Sequence, residues 1–160
     1  MIQLKSYSAA DTRKLAGHFA ELLKAGDSVG LTGSLGSGKT VFISGVCAGL
    51  GYGGAVTSST FTIMHPYPTM PPIYHFDCFR LKQPQEIATA GFDEFLASGE
   101  GVVIVEWADI IRDYFADWSY EVEFNFDFAD ENQRVIQFST RQPGRSRMLH
   151  AFLKNALAQM

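Results

Sequence analysis

The sequence predicts an α/β fold, a three-layer sandwich with a mostly parallel central sheet, followed by a C-terminal antiparallel hairpin and helix. Short apolar runs alternate with helical patterns over the first two-thirds of the chain. The run at 101–107 is apolar almost throughout, as in a strand covered on both faces. Strict alternation at 120–128, a polar turn and a second run at 134–140 indicate the hairpin, and 144–160 has an amphipathic helical pattern.

Composition limits the class of protein. With 160 residues, 46% hydrophobic and 13% aromatic, the chain is expected to be one domain spanning 1–160. The net charge of −4 argues against a broad basic surface, so no DNA partner is expected and any RNA contact is expected through a partner protein. Cys47 and Cys78 lack metal-binding spacing and are interpreted as buried thiols. With no signal peptide or membrane span in the sequence, we expect a cytoplasmic protein with no membrane partner.

The first third of the chain predicts strand, helix, strand, helix. A short strand at 2–5 leads to a capping pattern at 8–11 that opens a helix. Gly26 is expected to end this helix. A buried strand follows at 28–32, and then a proline-free helix at 41–50. The first helix is expected to bury one face through Leu15, Ala16, Phe19, Leu22 and Leu23.

The middle of the chain predicts two further strands and a helix. The hydroxyl-rich segment 56–63 looks like a loop that enters a strand near Tyr67. Its hydroxyls indicate either turn chemistry or a switch that senses a nucleotide. The strand at 73–77 and the helix at 83–96 follow, before the strand at 101–107. An exposed connection is predicted where the prolines cluster, at Pro66, Pro68, Pro71 and Pro72.

A glycine-rich stretch between the strand at 28–32 and the helix at 41–50 fits the phosphate-loop pattern Gly-x-x-x-x-Gly-Lys-Thr. Its residues are Gly33, Ser34, Leu35, Gly36, Ser37, Gly38, Lys39 and Thr40. The glycines allow backbone N–H groups to turn inward, and the helix N-terminus favours an anion. Lys39 is expected to reach the β- and γ-phosphates of a nucleotide, and the Thr40 hydroxyl to ligate Mg²⁺. The alternative is a glycine turn that merely precedes a helix, but the flanking elements favour a P-loop NTPase-like fold.

Two acids end apolar strands and are candidates to complete the site. Asp77 and Glu106 would both lie at the carboxyl edge of a parallel sheet. One would hold Mg²⁺ and the other would orient or deprotonate water, but spacing does not decide which, and either could be a helix cap or a surface acid. His75 is interpreted as a core histidine. Arg80 is a candidate for a phosphate contact, a transition-state contact or a salt bridge. Trp107 is interpreted either as stacking on a ring or a partner or as packing in the core.

These motifs together resemble the bacterial TsaE family, small P-loop ATPases required for the threonylcarbamoyladenosine modification of tRNA. The resemblance covers roughly residues 10 to 110 and is weaker beyond them. Besides the phosphate loop it rests on Val56-Thr57-Ser58, Thr60-Phe61-Thr62, His75-Phe76-Asp77, Phe79-Arg80-Leu81, Pro84-Gln85-Glu86, Gly91-Phe92-Asp93-Glu94 and Val105-Glu106-Trp107.

The resemblance implies a role for each part of the site. Lys39 and the loop amides would bind the phosphates of ATP, Thr40 and Glu106 would hold Mg²⁺, and Asp77 would be needed for hydrolysis. Thr12 and Arg134 would border the base. A switch, or a link to partners, is implied for Thr57, Ser58, Thr60, Thr62, Arg80 and Trp107.

The resemblance also implies partners and a purpose. The family works with the TsaB and TsaD proteins, and its ATP hydrolysis resets their complex between turnovers. The modification is made at position 37 of tRNAs that read ANN codons, and the tRNA contact would be indirect.

The sequence departs from the family pattern at three places. Ser34 replaces a usual acid, Ser59 a usual proline, and Tyr114-Phe115 a usual Leu-Pro. Ser34 could change nucleotide affinity or a partner contact, and Ser59 removes the fixed φ of a proline from the switch segment. Since neither Ser34 nor Ser59 removes a phosphate or metal ligand, the ATP site is expected to survive.

Two other functions fit a phosphate loop in a small domain. One is a small-molecule or nucleoside kinase, although such kinases usually carry an arginine-bearing lid and the region between Glu106 and the hairpin has only Arg112. The other is a binding module in which the nucleotide sets the shape and turnover is incidental.

Overall fold

The computed structural model describes residues 1–57 and 62–159, which form one seven-stranded sheet with helices on both faces. The strands are β1 (Ile2–Ser6), β2 (Ser28–Gly33), β3 (Met64–Tyr67), β4 (Ile73–Asp77), β5 (Val102–Glu106), β6 (Tyr120–Phe126) and β7 (Arg134–Ser139). The helices are α1 (Ala9–Ala20), α2 (Lys39–Gly49), α3 (Phe92–Ser98) and α4 (Pro143–Gln159), with 3₁₀ helices at Pro84–Ala90 and Ala108–Ile111.

The strand order is β1-β7-β6-β2-β5-β4-β3, and its centre is parallel. Strand β2 pairs in parallel with both β5 and β6, and β4 pairs in parallel with β5. The outer pairs β6–β7, β1–β7 and β3–β4 are antiparallel. The predicted fold class is therefore confirmed, and the C-terminal hairpin extends the central sheet because β6 lies against β2.

The sheet separates two apolar layers. Helices α1, α2 and α4 cover one face, where Phe19 is fully buried among Phe42, Tyr120 and Phe138. The other face is covered by α3 and the 3₁₀ helices, around Phe92 and Trp118. Strand β5 supplies both layers because alternate residues point to opposite faces. Val102 and Ile104 lie in the first layer, and Val103 and Val105 in the second.

Three predicted boundaries were wrong. The helix predicted at 83–96 is divided at Gly91. This residue has a left-handed φ of 88°, so the 3₁₀ helix ends before it and α3 begins after it. Helix α1 ends at Ala20 rather than near Gly26, and its last carbonyl oxygens accept hydrogen bonds from the backbone N–H groups of residues 21–23, which form a tight turn. Pro66 lies inside β3 rather than in an exposed connection, and β3 is at the edge of the sheet, where a strand tolerates proline.

Within the described part of the chain, none of the helices has both the length and the apolar character to cross a membrane.

Candidate functional site

The phosphate loop connects β2 to α2 at the carboxyl edge of the parallel strands. Gly38 caps α2 with a φ of 106°, which permits the sharp entry into the helix at Lys39. Gly33 allows a close approach to β6, since a Cβ atom there would lie 2.7 Å from the Phe124 carbonyl oxygen. The loop therefore delivers the N-terminus of α2, with its unpaired N–H groups, to the sheet edge.

The side chain of Lys39 contacts the backbone of its own phosphate loop. Its Nζ donates hydrogen bonds to the carbonyl oxygens of Gly33, at 2.5 Å, and Ser34, at 2.9 Å. The same nitrogen lies 4.0 Å from the centre of the Trp107 ring. Burial lowers the pKa of the Lys39 ammonium, although Glu106, Asp109 and Asp77 oppose this effect. The contacts are those of a cation surrounded by oxygen atoms, which phosphate oxygens could replace.

Glu106 connects α2 to β4 through both of its carboxylate oxygens. Its Oε1 accepts a hydrogen bond from Thr40 Oγ1 at 3.0 Å, and its Oε2 lies 2.8 Å from His75 Nε2. Burial alone would raise the pKa of Glu106, but the hydrogen bonds from His75 and Thr40 and the charge of Lys39 outweigh it, so the pKa is lowered. Glu106 is therefore an ionised acceptor beside the Thr40 hydroxyl.

Asp77 ends the neighbouring strand in register with Glu106. Its Oδ1 accepts a hydrogen bond from the Phe79 backbone N–H at 3.0 Å. Burial raises the pKa of Asp77, and Glu106 adds to this effect, while the Phe79 N–H, His75 and Lys39 oppose it. The two carboxyl groups thus differ in basicity, which is the arrangement expected of acids with different roles.

These groups line one pocket of about 250 Å³. The loop forms one wall, and Asp77, Glu106, Phe79 and Trp107 form the other. The rings of Phe79 and Trp107 lie 4.9 Å apart between centroids. Trp107 has a φ of 60°, which is uncommon for a residue other than glycine and is often found at functional sites. The structure therefore brings Lys39, Thr40, both acids and Trp107 together.

Thr12 and Arg134 both border the loop. Arg134 Nη2 donates to the Gly36 carbonyl oxygen at 3.4 Å, and its guanidinium lies 4.2 Å from the centre of the Phe126 ring. Thr12 is buried, and its Oγ1 lies 2.6 Å from Ser6 Oγ. The Thr12 methyl group lies 4.0 Å from the position a Cβ atom would take at Gly38. Thr12 therefore presents its methyl group to the loop.

The segment interpreted as a switch is only partly described. Thr57 and Thr62 are exposed, and Ser58 and Thr60 lie outside the described residues. Arg80 is also exposed, and it is not among the residues that line the pocket. The roles suggested for these residues stay predictions.

Sequence reasoning missed the contact of His75 with Glu106. His75 is fully buried, as a core histidine would be, but its ring also holds a carboxylate of the site. Alternation along β4 placed His75 on the face of Asp77, and only the pairing of β4 with β5 brings it to Glu106. Phe79 was part of a motif that carried the family resemblance, but its place in the wall of the pocket was missed.

The side chains of the site that could hold a metal ion offer oxygen atoms. Among residues 1–57 and 62–159, His, Cys, Asp and Glu nowhere form a group of three suited to a metal ion. Thr40 and Glu106 instead place a hydroxyl and a carboxylate 3.0 Å apart beside the loop. Mg²⁺ is commonly bound by one or two protein oxygens, with substrate phosphates and water completing its shell, so the pair suits this ion.

Comparisons with known proteins agree on one family. The family model described as "Threonylcarbamoyl adenosine biosynthesis protein TsaE" matches residues 6–136. The chain is 35% identical over 142 residues to a tRNA threonylcarbamoyladenosine biosynthesis protein TsaE of Bacillus subtilis, covering 87% of each chain. It is 37% identical over 132 residues to a protein of the same name from Rickettsia felis, covering 81% of this chain and 75% of that one.

A solved structure supports the same relationship. The crystal structure of YdiB from Bacillus subtilis matches with a TM-score of 0.77 and 27% identity, covering 96% of this chain and 95% of that one. The overall fold described above is therefore shared with an experimentally determined structure.

Proposed function

The chain belongs to the TsaE family of tRNA threonylcarbamoyladenosine biosynthesis, and on that premise we propose that it binds ATP with Mg²⁺ and hydrolyses it. The hydrolysis drives or resets the TsaB–TsaD complex as that complex modifies position 37 of tRNAs reading ANN codons. One observation carries this proposal: Lys39, Thr40, Glu106 and Asp77 converge on one pocket at the carboxyl edge of parallel strands.

The residues of the pocket fit ATP and Mg²⁺. Thr40 and Glu106 would hold the metal ion, since their oxygen atoms are already adjacent. When bound, the ion would neutralise charge on the β- and γ-phosphates. The loop amides and Lys39 would hold the phosphates themselves. Arg134, beside the Gly36 carbonyl, is placed to border the nucleotide from the hairpin.

The chain's own groups divide the chemical work. Lys39 exchanges the Gly33 and Ser34 carbonyls for phosphate oxygens and stabilises the charge that develops on the transferred group. Asp77, held by the Phe79 N–H, orients the attacking water and accepts its proton. Because burial raises the pKa of Asp77, its carboxylate is a stronger base than an exposed aspartate.

The test is ATP hydrolysis with purified components. We expect the chain to hydrolyse ATP slowly alone and faster with the matching TsaB and TsaD proteins. Absence of stimulation in an otherwise active mixture would contradict the proposal. The Asp77→Asn variant should retain ATP binding while losing both the basal and the stimulated rate.

Two results would favour the alternative functions. If Asp77→Asn abolishes hydrolysis and still supports full tRNA modification in cells, the hypothesis of a nucleotide-gated binding module is correct. If the unmodified chain transfers phosphate from ATP to a metabolite with no partner protein present, the hypothesis of a small-molecule or nucleoside kinase is correct.

A further inference from the structure

We propose that His75 is a positioning residue that fixes the Glu106 carboxylate for Mg²⁺. The inference rests on the proposed function, because it concerns the same site. Neither the burial of His75 nor the phosphate-loop pattern indicates this role.

The pairing of β4 with β5 brings the two side chains together. His75 is in register with Ile104, and Asp77 with Glu106, in a parallel pair. Side chains two residues apart on a strand share a face, so His75 and Glu106 are diagonal neighbours on one face of the sheet. The resulting distance from His75 Nε2 to Glu106 Oε2 is 2.8 Å.

The two oxygens of Glu106 are held from opposite sides. Oε2 faces His75 of β4, while Oε1 faces Thr40 at the start of α2, 3.0 Å away. A carboxylate held at one oxygen can still rotate about its last side-chain bond, but one held at both cannot. His75 therefore keeps Oε1 aimed at the Thr40 hydroxyl, where the metal ion would bind.

The second nitrogen of His75 shows that packing alone does not explain the imidazole. Since a carboxylate only accepts hydrogen bonds, Nε2 is the donor to Glu106. Nδ1 is buried and has no hydrogen-bond partner within residues 1–57 and 62–159. A buried polar atom without a partner is destabilising, and an apolar side chain would fill the space without that cost. The hydrogen bond to Glu106 is what the imidazole adds.

The ring itself is held firmly. The side chain of His75 is fully buried, and the Tyr67 ring stacks on it at a centroid distance of 6.2 Å and an interplanar angle of 22°. The His65 ring lies 6.0 Å away on the neighbouring strand. An immobile donor can fix the orientation of the group it binds, as the hydrogen-bond partners of metal ligands commonly do.

The experiment measures ADP binding by calorimetry over a range of Mg²⁺ concentrations, for the unmodified chain and for two variants of His75. His75→Leu removes the donor, and we expect the half-saturating Mg²⁺ concentration to rise by about 10-fold or more, as for other partners of metal ligands. ADP affinity in EDTA should stay within about twofold of the unmodified chain, because His75 does not touch the phosphate loop. His75→Gln retains an N–H at a similar reach and should restore most of the Mg²⁺ response.

Phe76→Leu is the matched control, since Phe76 is equally buried on the same strand but belongs to the other layer. It should lower the thermal midpoint without changing the Mg²⁺ requirement. If His75→Leu changes only the thermal midpoint, as Phe76→Leu does, His75 is structural and the inference is wrong. If His75→Leu does not fold, His75→Ala replaces it. The inference is then wrong if His75→Ala leaves the Mg²⁺ requirement unchanged, or if His75→Gln and His75→Ala change that requirement to the same extent.

The outcomes separate this inference from the proposed function. If the unmodified chain binds no ADP with or without Mg²⁺, the proposed function fails and this inference fails with it. If the unmodified chain shows Mg²⁺-dependent binding that the His75 variants share unchanged, only the role of His75 is refuted.

Discussion

At the scale of single residues, the site is a set of polar contacts that a nucleotide would rearrange. Lys39 contacts two carbonyl oxygens and the Trp107 ring, and Glu106 contacts Thr40 and His75. The Lys39 ammonium and both Glu106 oxygens are thus partnered before ligand arrives, which limits the cost of burying these charges. The proposed binding of ATP would exchange one set of partners for another.

Replacing Lys39 tests the charge in the loop. We expect Lys39→Ala to weaken ATP binding about 10- to 100-fold, because a hydrogen bond to a charged group contributes roughly 1.5–3 kcal/mol. Calorimetry with Mg²⁺ and ATP measures the effect. Lys154→Ala removes an exposed lysine of α4 and should leave the affinity unchanged. Equal affinities of Lys39→Ala and the unmodified chain would show that Lys39 does not contact the phosphates.

At the scale of elements, the position of the loop depends on how closely α2 approaches α1. A Cβ atom at Gly45 would lie 2.3 Å from the Arg13 carbonyl oxygen and 2.6 Å from the Ala16 Cβ atom. No real side chain makes such contacts, so only glycine permits this separation. Because α2 begins at Lys39, any shift of the helix moves the phosphate loop.

Gly45→Ala is therefore expected to destabilise the protein by about 1–3 kcal/mol, the usual cost of overpacking. The denaturant dependence of unfolding measures the change. Gly17→Ala is the matched control in the same helix pair, because its Cβ atom would meet only the Gly45 carbonyl oxygen, at 3.8 Å. That variant should be neutral or slightly stabilising, since alanine favours helix more than glycine does. A neutral Gly45→Ala would mean that the helices separate freely.

A second contact between elements joins the edge strand β1 to the end of β6. Asp127 accepts a hydrogen bond from the Ala129 N–H at 2.9 Å and pairs with Lys5 of β1 at 3.1 Å. The Ala129 N–H and then Lys5 lower the pKa of Asp127. A lowered pKa means that the ionised carboxylate stabilises the folded state above its unfolded pKa of about 3.9, and that this stabilisation is lost as the pH falls through the folded pKa.

Asp127→Asn should therefore reduce the free energy of unfolding at pH 7. The difference from the unmodified chain should shrink as the pH falls below about 4, where both chains carry an uncharged group. Glu131→Gln makes the same change of charge in the same turn and should have little effect. Urea unfolding at several pH values provides the measurement, and a difference that did not depend on pH would contradict the ionic explanation.

At the scale of the whole molecule, the sheet separates two apolar layers that each contain one cysteine. Cys47 lies in the layer of α1, α2 and α4, and Cys78 in the opposite layer. Burial raises the pKa of both thiols to about 12. Since the thiolate is the reactive form, neither thiol should react near neutral pH while its layer stays closed.

Thiol labelling therefore reports on cooperativity between the layers. We expect both cysteines to resist alkylation at pH 8 in the folded protein and to become reactive at the same denaturant concentration. Labelling of one cysteine well before the other, seen by mass spectrometry, would show that the layers open separately.

Because the folded thiols retain protons that the unfolded chain releases, the free energy of unfolding should also decrease as the pH rises above about 8.5.

The sequence alone determined the features whose signals are local. The phosphate loop, the apolar run of β5 and the alternation of β6 each lie within one short stretch, and they led to the fold class and family that the structure and the comparisons confirm. The division of the helix at Gly91 was missed because a glycine can either interrupt a helix or be tolerated within it, and the helical pattern continues on both sides.

The tertiary structure decided which distant side chains meet. Spacing alone left Asp77 and Glu106 interchangeable. The fold distinguishes their surroundings, because it places Thr40 and His75 against Glu106 and the Phe79 N–H against Asp77. The order and register of β4, β5 and β2 bring these residues together across as many as 66 positions of the chain. Sequence periodicity gives the face of a strand on which a side chain lies, but its neighbours across the sheet depend on pairing, which no local pattern encodes.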